Sequence, residues 1–197
     1  FHNVRWKNFL SAGDQWTEIE LDTHKNTLIM GHNGSGKSTF LDALTFVLFG
    51  RPFRKVNKGN VVNSINNKNC LVEIEFTISN KKYKIIRGAK PNIFEIYCYG
   101  KVVNQDAAVK DYQEHLEKHI LKMNYKSFTQ VVILGSASFV PFMQLSANDR
   151  RAVIEDLLDI QIFTAMSNVV KNRLQINREG LEKNRIVLTS KEENKTY

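Results

Sequence analysis

The sequence predicts an α/β fold in which a glycine-rich loop leads into a buried helix, a β-meander follows, and a long amphipathic helix comes last. Three observations predict this order. Residues 31–38 are rich in glycine and lie between a short apolar run and a mostly apolar segment that stops at Gly50. Residues 71–99 alternate apolar and polar side chains, as strands do. Residues 170–188 carry a heptad repeat.

The first thirty residues predict two or three short strands and then the loop. Residues 4–9 and 17–21 alternate apolar and polar side chains, and residues 27–30 form a short apolar run directly before the loop. Residues 38–49 are apolar on nearly every side, which predicts a buried helix. Gly50 and Pro52 are the pair of residues that typically stops one.

The middle of the chain predicts an antiparallel sheet with one face in water. Residues 51–69 are basic and polar and predict a loop, whereas residues 71–78, 83–87 and 93–99 predict three strands. In the first of these, the two faces are Val72, Ile74, Phe76 and Ile78 on one side and Glu73, Glu75 and Thr77 on the other. Residues 106–121 and 125–134 then predict helices.

The character of the chain changes at residue 146. Ser146 followed by Asp149 predicts a helix start with a capping box. Apolar and amide side chains then recur at spacings of four and three, in the order Val170, Leu174, Asn177, Leu181, Asn184 and Leu188. This repeat favours the start of a coiled-coil arm over an ordinary surface helix. We therefore expect a head lobe at residues 1–145 and the arm at residues 146–197.

Composition limits the class of protein. The 197 residues are 42% apolar, enough for one substantial core, and no run approaches the length of a membrane span. The beginning of the chain lacks the pattern of a signal peptide. Cys70 and Cys98 have no metal-ligand spacing, so we expect two thiols in a reducing compartment, the cytoplasm. The net charge of +8 suits a polyanionic partner, although many soluble proteins are as basic.

The glycine-rich loop carries the strongest signal for chemistry. Residues 31–38 fit the phosphate-binding pattern G-x-x-x-x-G-K-[ST]. Its glycines let the backbone aim N–H groups at an anion, at the point where a helix begins. Lys37 is expected to reach the β- and γ-phosphates, Ser38 to ligate Mg²⁺, and Thr39 to touch the α-phosphate. The loop predicts ATP and Mg²⁺ but not the reaction, since kinases, GTPases, transport ATPases and DNA-repair ATPases all share it.

An ordered set of segments indicates which class of phosphate-loop protein this chain resembles. The set comprises residues 4–9, residues 30–38, the helix at residues 40–50, the stretch at 127–130, and the helix start at 145–158. Together they resemble the N-terminal half of the ABC/SMC-type ATPase subunits of DNA recombination and double-strand-break-repair exonucleases. This group includes bacterial SbcC and the large subunit of the T-even-phage recombination endonuclease. The resemblance spans nearly the whole chain and implies an ABC/SMC-type ATPase head lobe, found in a bacterial or phage-infected host cytoplasm.

The resemblance also implies roles for particular residues. The triphosphate is held by Asn33, Gly34, Ser35, Gly36, Lys37, Ser38 and Thr39. Gln130 joins Ser38 in the Mg²⁺ shell and, with Lys37, takes part in catalysis. A glutamine suits that task because its carbonyl can ligate a cation and its amide can orient water. Arg5 and Asn8 lie near the phosphates and the base. Without the resemblance, Gln130 would be an ordinary helix residue, and Arg5 and Asn8 exposed strand residues.

Parts of the composite site of this family are missing from the sequence. No apolar strand ends in Asp-Glu, and the stretch at residues 145–148 begins like a signature loop but has no glycines. His115 and His119 lie four apart without the glutamate of H-E-x-x-H, which predicts solvent-facing side chains rather than a metal site. The resemblance therefore implies an ATPase that needs the C-terminal lobe of the same protein and a second copy of the head.

Basic residues point to double-stranded DNA as a further partner. They fall in two groups, one of Arg51, Arg54, Lys55 and Lys58 and another of Lys81, Lys82, Lys84, Arg87 and Lys90. Both groups suit contacts with the DNA backbone, although solvated turns are often lysine-rich too.

These features together predict a DNA-repair and recombination ATPase. The expected function is ATP-driven head dimerisation that controls DNA access for a partner nuclease subunit. The alternative is a chromosome-organising SMC-type tether, which would copurify with a kleisin-like bridging chain rather than a nuclease. A transporter motor would need a transmembrane partner, and the predicted coiled-coil arm at residues 146–197 argues against this class. A small P-loop kinase is the least suitable class, because it would contain neither the β-meander of residues 71–99 nor the heptad repeat of residues 170–188.

Overall fold

The computed structural model describes residues 1–103, 109–133, 141–158 and 160–193. The chain divides into two compact units, Phe1–Val153 and Ile154–Tyr197. The predicted boundary between residues 145 and 146 stays a prediction. Helices are predicted at residues 106–121 and 125–134. The beginning of the first, at residue 106, and the end of the second, at residue 134, lie outside the described residues.

A single antiparallel sheet of six strands forms the centre of the first unit. Its spatial order is β2-β1-β3-β4-β5-β6. The strands are β1 (Asn3–Lys7), β2 (Thr17–Glu20), β3 (Cys70–Ile78), β4 (Lys81–Ala89), β5 (Ile93–Cys98) and β6 (Lys101–Val102). The predicted meander is confirmed as β3 to β5. The sequence did not predict that β1 pairs with β3, which places Arg5 opposite Glu73 and Trp6 opposite Val72.

Helix α1 (Thr39–Phe49) packs on the apolar face of this sheet. Val72, Ile74 and Phe76 of β3 are buried there, as the alternation predicts. The helix begins directly after Ser38 and ends at Gly50, whose φ of 72° lies in the left-handed region that glycine favours. Because α1 is buried on nearly all sides, its first turn is held firmly in place. The predicted helix at residues 38–49 is confirmed to within one residue.

The carboxyl end of α1 is closed by two side chains from elsewhere in the chain. Arg87 Nε donates to the Val47 carbonyl at 3.0 Å, and Gln113 Nε2 donates to the Leu48 carbonyl at 3.0 Å. The guanidinium also donates to Gln113 Oε1 and lies 3.7 Å from the Phe94 ring centre. Burial lowers the pKa of Arg87 to about 9, so it is still protonated at neutral pH. A positive charge at this position stabilises the helix dipole.

Replacing Arg87 with methionine is expected to destabilise the chain by about 3 kcal/mol, because buried carbonyls and Gln113 lose their partner. Chemical denaturation measures this loss. Lys82→Met is the matched control, since Lys82 is an exposed lysine on the same strand. A loss below about 0.5 kcal/mol, the usual effect of a surface change, would contradict the role of Arg87.

Apart from two 3-10 turns, Lys58–Asn60 and Phe142–Gln144, the other helices of the described residues follow the meander. They are α2 (Val109–His115), which continues as a π-helix (Leu116–Leu121), then α3 (Tyr125–Val131), α4 (Ala147–Leu157) and α5 (Gln161–Glu193). Asn124 caps α3 by accepting hydrogen bonds from the N–H groups of Lys126 and Ser127. The Asp149 N–H donates to Ser146 Oγ at 3.2 Å, which confirms the predicted helix start.

Residues 27–30 form no strand, so residues 3–30 contain two of the two or three strands that the sequence predicts. Leu28 and Met30 are 79% and 80% exposed, and none of the described strands pairs with this segment. A strand forms only when a neighbouring strand takes up its backbone hydrogen bonds. The structure thus has the lower of the two predicted numbers of strands, and an apolar run lies exposed just before the glycine-rich loop.

Helix α5, in the second unit, is one continuous helix of 33 residues. The apolar residues of its heptad repeat are between 50% and 63% exposed, namely Val170, Leu174, Leu181 and Leu188. An apolar stripe of this kind is typical of a coiled-coil strand, and the coiled-coil arm stays a prediction. Among the residues that the structure describes, no helix combines the length and the apolarity that crossing a membrane requires.

The two cysteines are free thiols in different surroundings. Burial raises the pKa of Cys70 to about 11, whereas Cys98 is only half-buried at the end of β5. Since the thiolate is the reactive species, we expect an alkylating reagent at about pH 8 to modify Cys98 and spare Cys70. Mass spectrometry of peptides after timed labelling checks this expectation. Equal labelling rates for the native chain would contradict it.

Candidate nucleotide-binding site

The glycine-rich loop at residues 31–38 ends where α1 begins, at the surface of the first unit. Gly34 and Gly36 have φ angles of 86° and 90°, a conformation that other residues adopt only under strain. At Gly31 a Cβ atom would lie 2.5 Å from Ser35 Oγ, so the serine hydroxyl would have to rotate away from it. The motif therefore places glycine where the backbone turns and where it approaches a side chain closely.

Most backbone N–H groups of this loop have no partner in the described part of the protein. Two of them are bonded, Ser35 to the His32 carbonyl at 3.2 Å and Thr39 to the Gly36 carbonyl at 2.9 Å. Among the described residues no acceptor bonds the N–H groups of Asn33, Gly34, Gly36, Lys37 and Ser38. Because the loop is exposed or half-exposed, these donors are open to an anion at the positive end of the α1 dipole.

Lys37 lies over its own loop. Its Nζ atom donates to the carbonyls of Gly31 and His32, at 2.7 Å each. These two bonds hold the ammonium group over the loop. The loop thus combines a positive side chain with several donors, which is the donor set that phosphate oxygens require.

The Ser38 hydroxyl is available at the same position. It makes no capping bond to α1, although Ser38 is the residue immediately before the helix. The Thr39 side chain is buried beneath the loop. A serine hydroxyl at this position is a hard oxygen ligand, which Mg²⁺ prefers. Residues 33–38 therefore fit a magnesium-bound triphosphate, whereas the predicted contact of Thr39 with the α-phosphate stays a prediction, because its side chain is buried and its N–H is bonded to Gly36.

Gln130 carries a buried oxygen that has no partner. Of the buried side-chain oxygen and nitrogen atoms in the described part of the chain, Gln130 Oε1 is the one that forms no hydrogen bond. Such an atom costs free energy unless a donor or a cation binds it, so unsatisfied groups concentrate at functional sites. The amide carbonyl is chemically suited to Mg²⁺. This observation fits the role that the resemblance implies for Gln130.

Helix α3, which carries Gln130, is attached to the other end of α1. The Phe49 ring centre lies 5.2 Å from that of Phe128 and 5.7 Å from that of Tyr125. The Arg51 guanidinium lies 3.6 Å from the centre of the Tyr125 ring. No hydrogen bond or ion pair between described residues joins Gln130 to the glycine-rich loop. The structure thus brings residues 33–39 together and places Gln130 on a separate helix packed against α1.

Arg5 and Asn8 are bound within the protein. Arg5 donates twice to Glu73 Oε2, at 2.9 and 2.7 Å, and lies 4.7 Å from the centre of the Trp16 ring. Asn8 is 1% exposed, donates to Asp14 and accepts from Asn66. Neither is the exposed strand residue that the sequence alone suggests. Their proposed roles near the nucleotide stay predictions.

Several basic residues that suggested DNA contacts are also occupied within the chain. Arg54 pairs with the buried Asp42 of α1, and Lys84 pairs with Glu73 at 2.9 Å. Arg87 is buried and Arg51 is stacked on Tyr125. Sequence reasoning missed these pairs because each joins residues that are separated in sequence. Three lysines of these groups are exposed, namely Lys55, Lys81 and Lys82, and contact with DNA stays a prediction.

The chain is similar to one protein family and to subunits of phage and bacterial nucleases. Residues 3–196 match the family model described as AAA domain. The chain is 46% identical over 180 residues to exonuclease subunit 2 of Escherichia phage RB69, covering 91% of this chain and 32% of that protein. It is 46% identical over 170 residues to exonuclease subunit 2 of Enterobacteria phage T4, covering 86% and 30%. The SbcC component of the nuclease SbcCD from Staphylococcus aureus is 25% identical over 179 residues, covering 83% and 18%.

A solved structure gives the same fold. That structure was solved in a study of the ATP-driven dimerisation and DNA-stimulated activation of SMC ATPases. It aligns with this chain with a TM-score of 0.53 at 20% sequence identity. The alignment covers 79% of this chain and 98% of that one. At this identity the likeness shows the fold, an SMC-type ATPase head. The chain spans about a third of the length of its two phage relatives.

Proposed function

This chain belongs to the AAA domain family as an SbcC-like member with an SMC-type head fold, and we propose that it is the ATP-binding lobe of a DNA-repair ATPase. The observation that carries the proposal is the set of unpartnered N–H groups around Lys37, at the start of a buried helix. Few ligands other than a phosphate chain match several backbone donors, one ammonium group and one hydroxyl.

The residues of the loop position the nucleotide. The open N–H groups of residues 33, 34 and 36–38 bind the phosphate oxygens, and Lys37 moves from its carbonyl partners to the β- and γ-phosphates. Mg²⁺ supplies further neutralisation of the phosphate charge when it is bound. Ser38 and Gln130 would offer the oxygen atoms that hold it, and Gln130 would orient the attacking water. Arg5 and Asn8 are proposed to line the neighbouring part of the nucleotide site.

Catalysis is proposed to need a second lobe and a second head. The sequence contains no strand ending in an acid pair and no signature loop. The exposed apolar run at residues 27–30 supports this proposal, because it lies beside the loop and has the composition of a strand that awaits a partner. We propose that the C-terminal lobe of the same protein pairs with it, and that two heads enclose ATP between them.

The nuclease partner is proposed from the relatives. Their names, exonuclease subunit 2 and the SbcC component of the nuclease SbcCD, describe parts of nuclease complexes. We therefore propose that ATP-driven closure of two heads controls the access of double-stranded DNA to an associated nuclease subunit. The sequence relatives favour this function over an SMC-type tether, since the likeness to SMC ATPases is one of fold.

Measured ATP turnover tests the proposed function. The chain alone, the chain with the C-terminal lobe, and both with duplex DNA are compared at the same head concentration. We expect weak nucleotide binding and almost no turnover for the chain alone, and turnover that rises steeply with concentration once the second lobe is present. Full-rate hydrolysis by the chain alone would contradict the composite site. No binding of Mg-ATP by the assembled head would contradict the proposal as a whole.

A further inference from the structure

Two imidazole rings stand side by side on the exposed surface formed by α2 and the π-helix. His115 is the last residue of α2, and His119 lies within the π-helix Leu116–Leu121. Their ring centres are 5.1 Å apart and their planes are inclined by 37°. Both side chains are exposed to solvent, as the sequence predicts, although the missing glutamate of H-E-x-x-H argued against a metal site at this position.

Neither imidazole ring is bonded to another described residue. In the described ranges of the chain, His115 and His119 have no hydrogen-bond or ion-pair partner, whereas His2 is bonded to Asp22 and Thr77. The neighbouring Lys118 is paired with Glu114, which offsets its positive charge. The nitrogen lone pairs of both imidazoles are therefore free to bind an electrophile, next to a lysine whose charge is already balanced.

The spacing of the rings suits a metal ion. Two imidazoles that bind one tetrahedral ion at about 2.0–2.1 Å hold their ring centres roughly 5 Å apart. We propose that His115 and His119 form a site for a divalent transition-metal ion of the zinc or nickel class. Imidazole nitrogen is a preferred ligand for these ions, whereas Mg²⁺ prefers oxygen ligands. The site is thus distinct in chemistry from the proposed nucleotide site.

The helix beneath the two rings fixes their position. Leu116 and Ile120, each next in sequence to one histidine, are buried in the core. These anchors keep the opposite face, with both imidazoles, turned to solvent. A π-helix is a rare conformation that occurs often at functional sites. Sites built on such packed elements hold their ligands more accurately than sites on loops.

Calorimetric titration of the full chain with Ni²⁺, without nucleotide, tests the proposal. We expect one ion to bind, with the remaining coordination positions left to water or to a partner's side chain. His115→Asn and His119→Asn should each weaken binding by about tenfold or more, because the two ligands act as a chelate. His24→Asn, at an exposed histidine elsewhere, is the matched control and should leave the affinity unchanged. Excess Mg²⁺ should not displace the nickel.

A further variant separates metal binding from any change in folding. His119→Cys replaces one ligand with another and should restore Zn²⁺ binding, while circular dichroism confirms the helix content of each variant. The proposal is overturned if the two asparagine variants bind Ni²⁺ as the His24→Asn control does, or if no ion binds the unaltered chain. Because these measurements contain no nucleotide, their outcome is independent of the ATPase proposal.

Discussion

Replacing Lys37 with alanine is expected to weaken Mg-ATP binding by at least about a hundredfold, close to 2.7 kcal/mol. The carbonyls of Gly31 and His32 hold the ammonium group on the same loop whose N–H groups are open to an anion. Alanine removes the one positive side chain of the loop and its charge-assisted bonds to the phosphates. The loop backbone should stay in place, because the glycines and the buried helix α1 set its course.

Calorimetry or a fluorescent ATP analogue measures this affinity on the head assembled with its C-terminal lobe. Lys25→Ala is the matched control, since Lys25 is an exposed lysine outside the loop. The Lys25→Ala variant should bind Mg-ATP as the unaltered protein does. It therefore measures any general effect of losing one positive charge. An affinity for Lys37→Ala within about threefold of the control would show that the loop does not bind the phosphates.

Replacing Gln130 with alanine is expected to lower kcat by about a hundredfold in the complete ATPase, with a small change in the affinity for ATP. The reason is that Gln130 offers a carbonyl to Mg²⁺ and an amide to the attacking water, whereas residues 33–38 supply most of the binding. Steady-state kinetics on the full-length protein, as kcat and KM separately, distinguishes these effects. Gln144→Ala, an exposed glutamine, is the matched control.

The stability of Gln130→Ala gives a second readout. Because Gln130 Oε1 is buried and unbonded, its removal should leave the free energy of unfolding unchanged or raise it by up to about 1–2 kcal/mol. A glutamine needed only for structure would show the opposite, a destabilised chain with normal turnover per folded molecule. That result would contradict the catalytic role.

The parts of the fold that were predictable from sequence are those determined by neighbouring residues. Helix α1 follows from a continuous apolar segment and its Gly50 stop, and β3 to β5 follow from alternation and turns. The glycine-rich loop could be found because its residues are adjacent in sequence. Gln130 could not be found in this way, since nothing local distinguishes it, and the resemblance alone singled it out.

The parts that sequence reasoning missed depend on partners far along the chain. Alternation places Glu73 on the water face of the sheet, but its side chain is buried under Arg5 and Lys84. Composition groups Arg87 with a basic surface, but its side chain closes α1. The run at residues 27–30 has the composition of a strand and lacks a neighbour. Alternation and composition describe each residue's own preference, whereas these outcomes are set by which segments meet.

The most direct test of the central proposal is the amide NMR spectrum of the chain titrated with Mg-ATP. We expect the signals of Gly34, Gly36, Lys37 and Ser38 to shift together and most strongly, with adenosine alone leaving them nearly unchanged. Inorganic triphosphate should reproduce the shifts, because the phosphate chain is what these N–H groups bind. If Mg-ATP at millimolar concentration left those four signals in place, or moved signals elsewhere instead, the assignment of this loop to phosphate binding would be wrong.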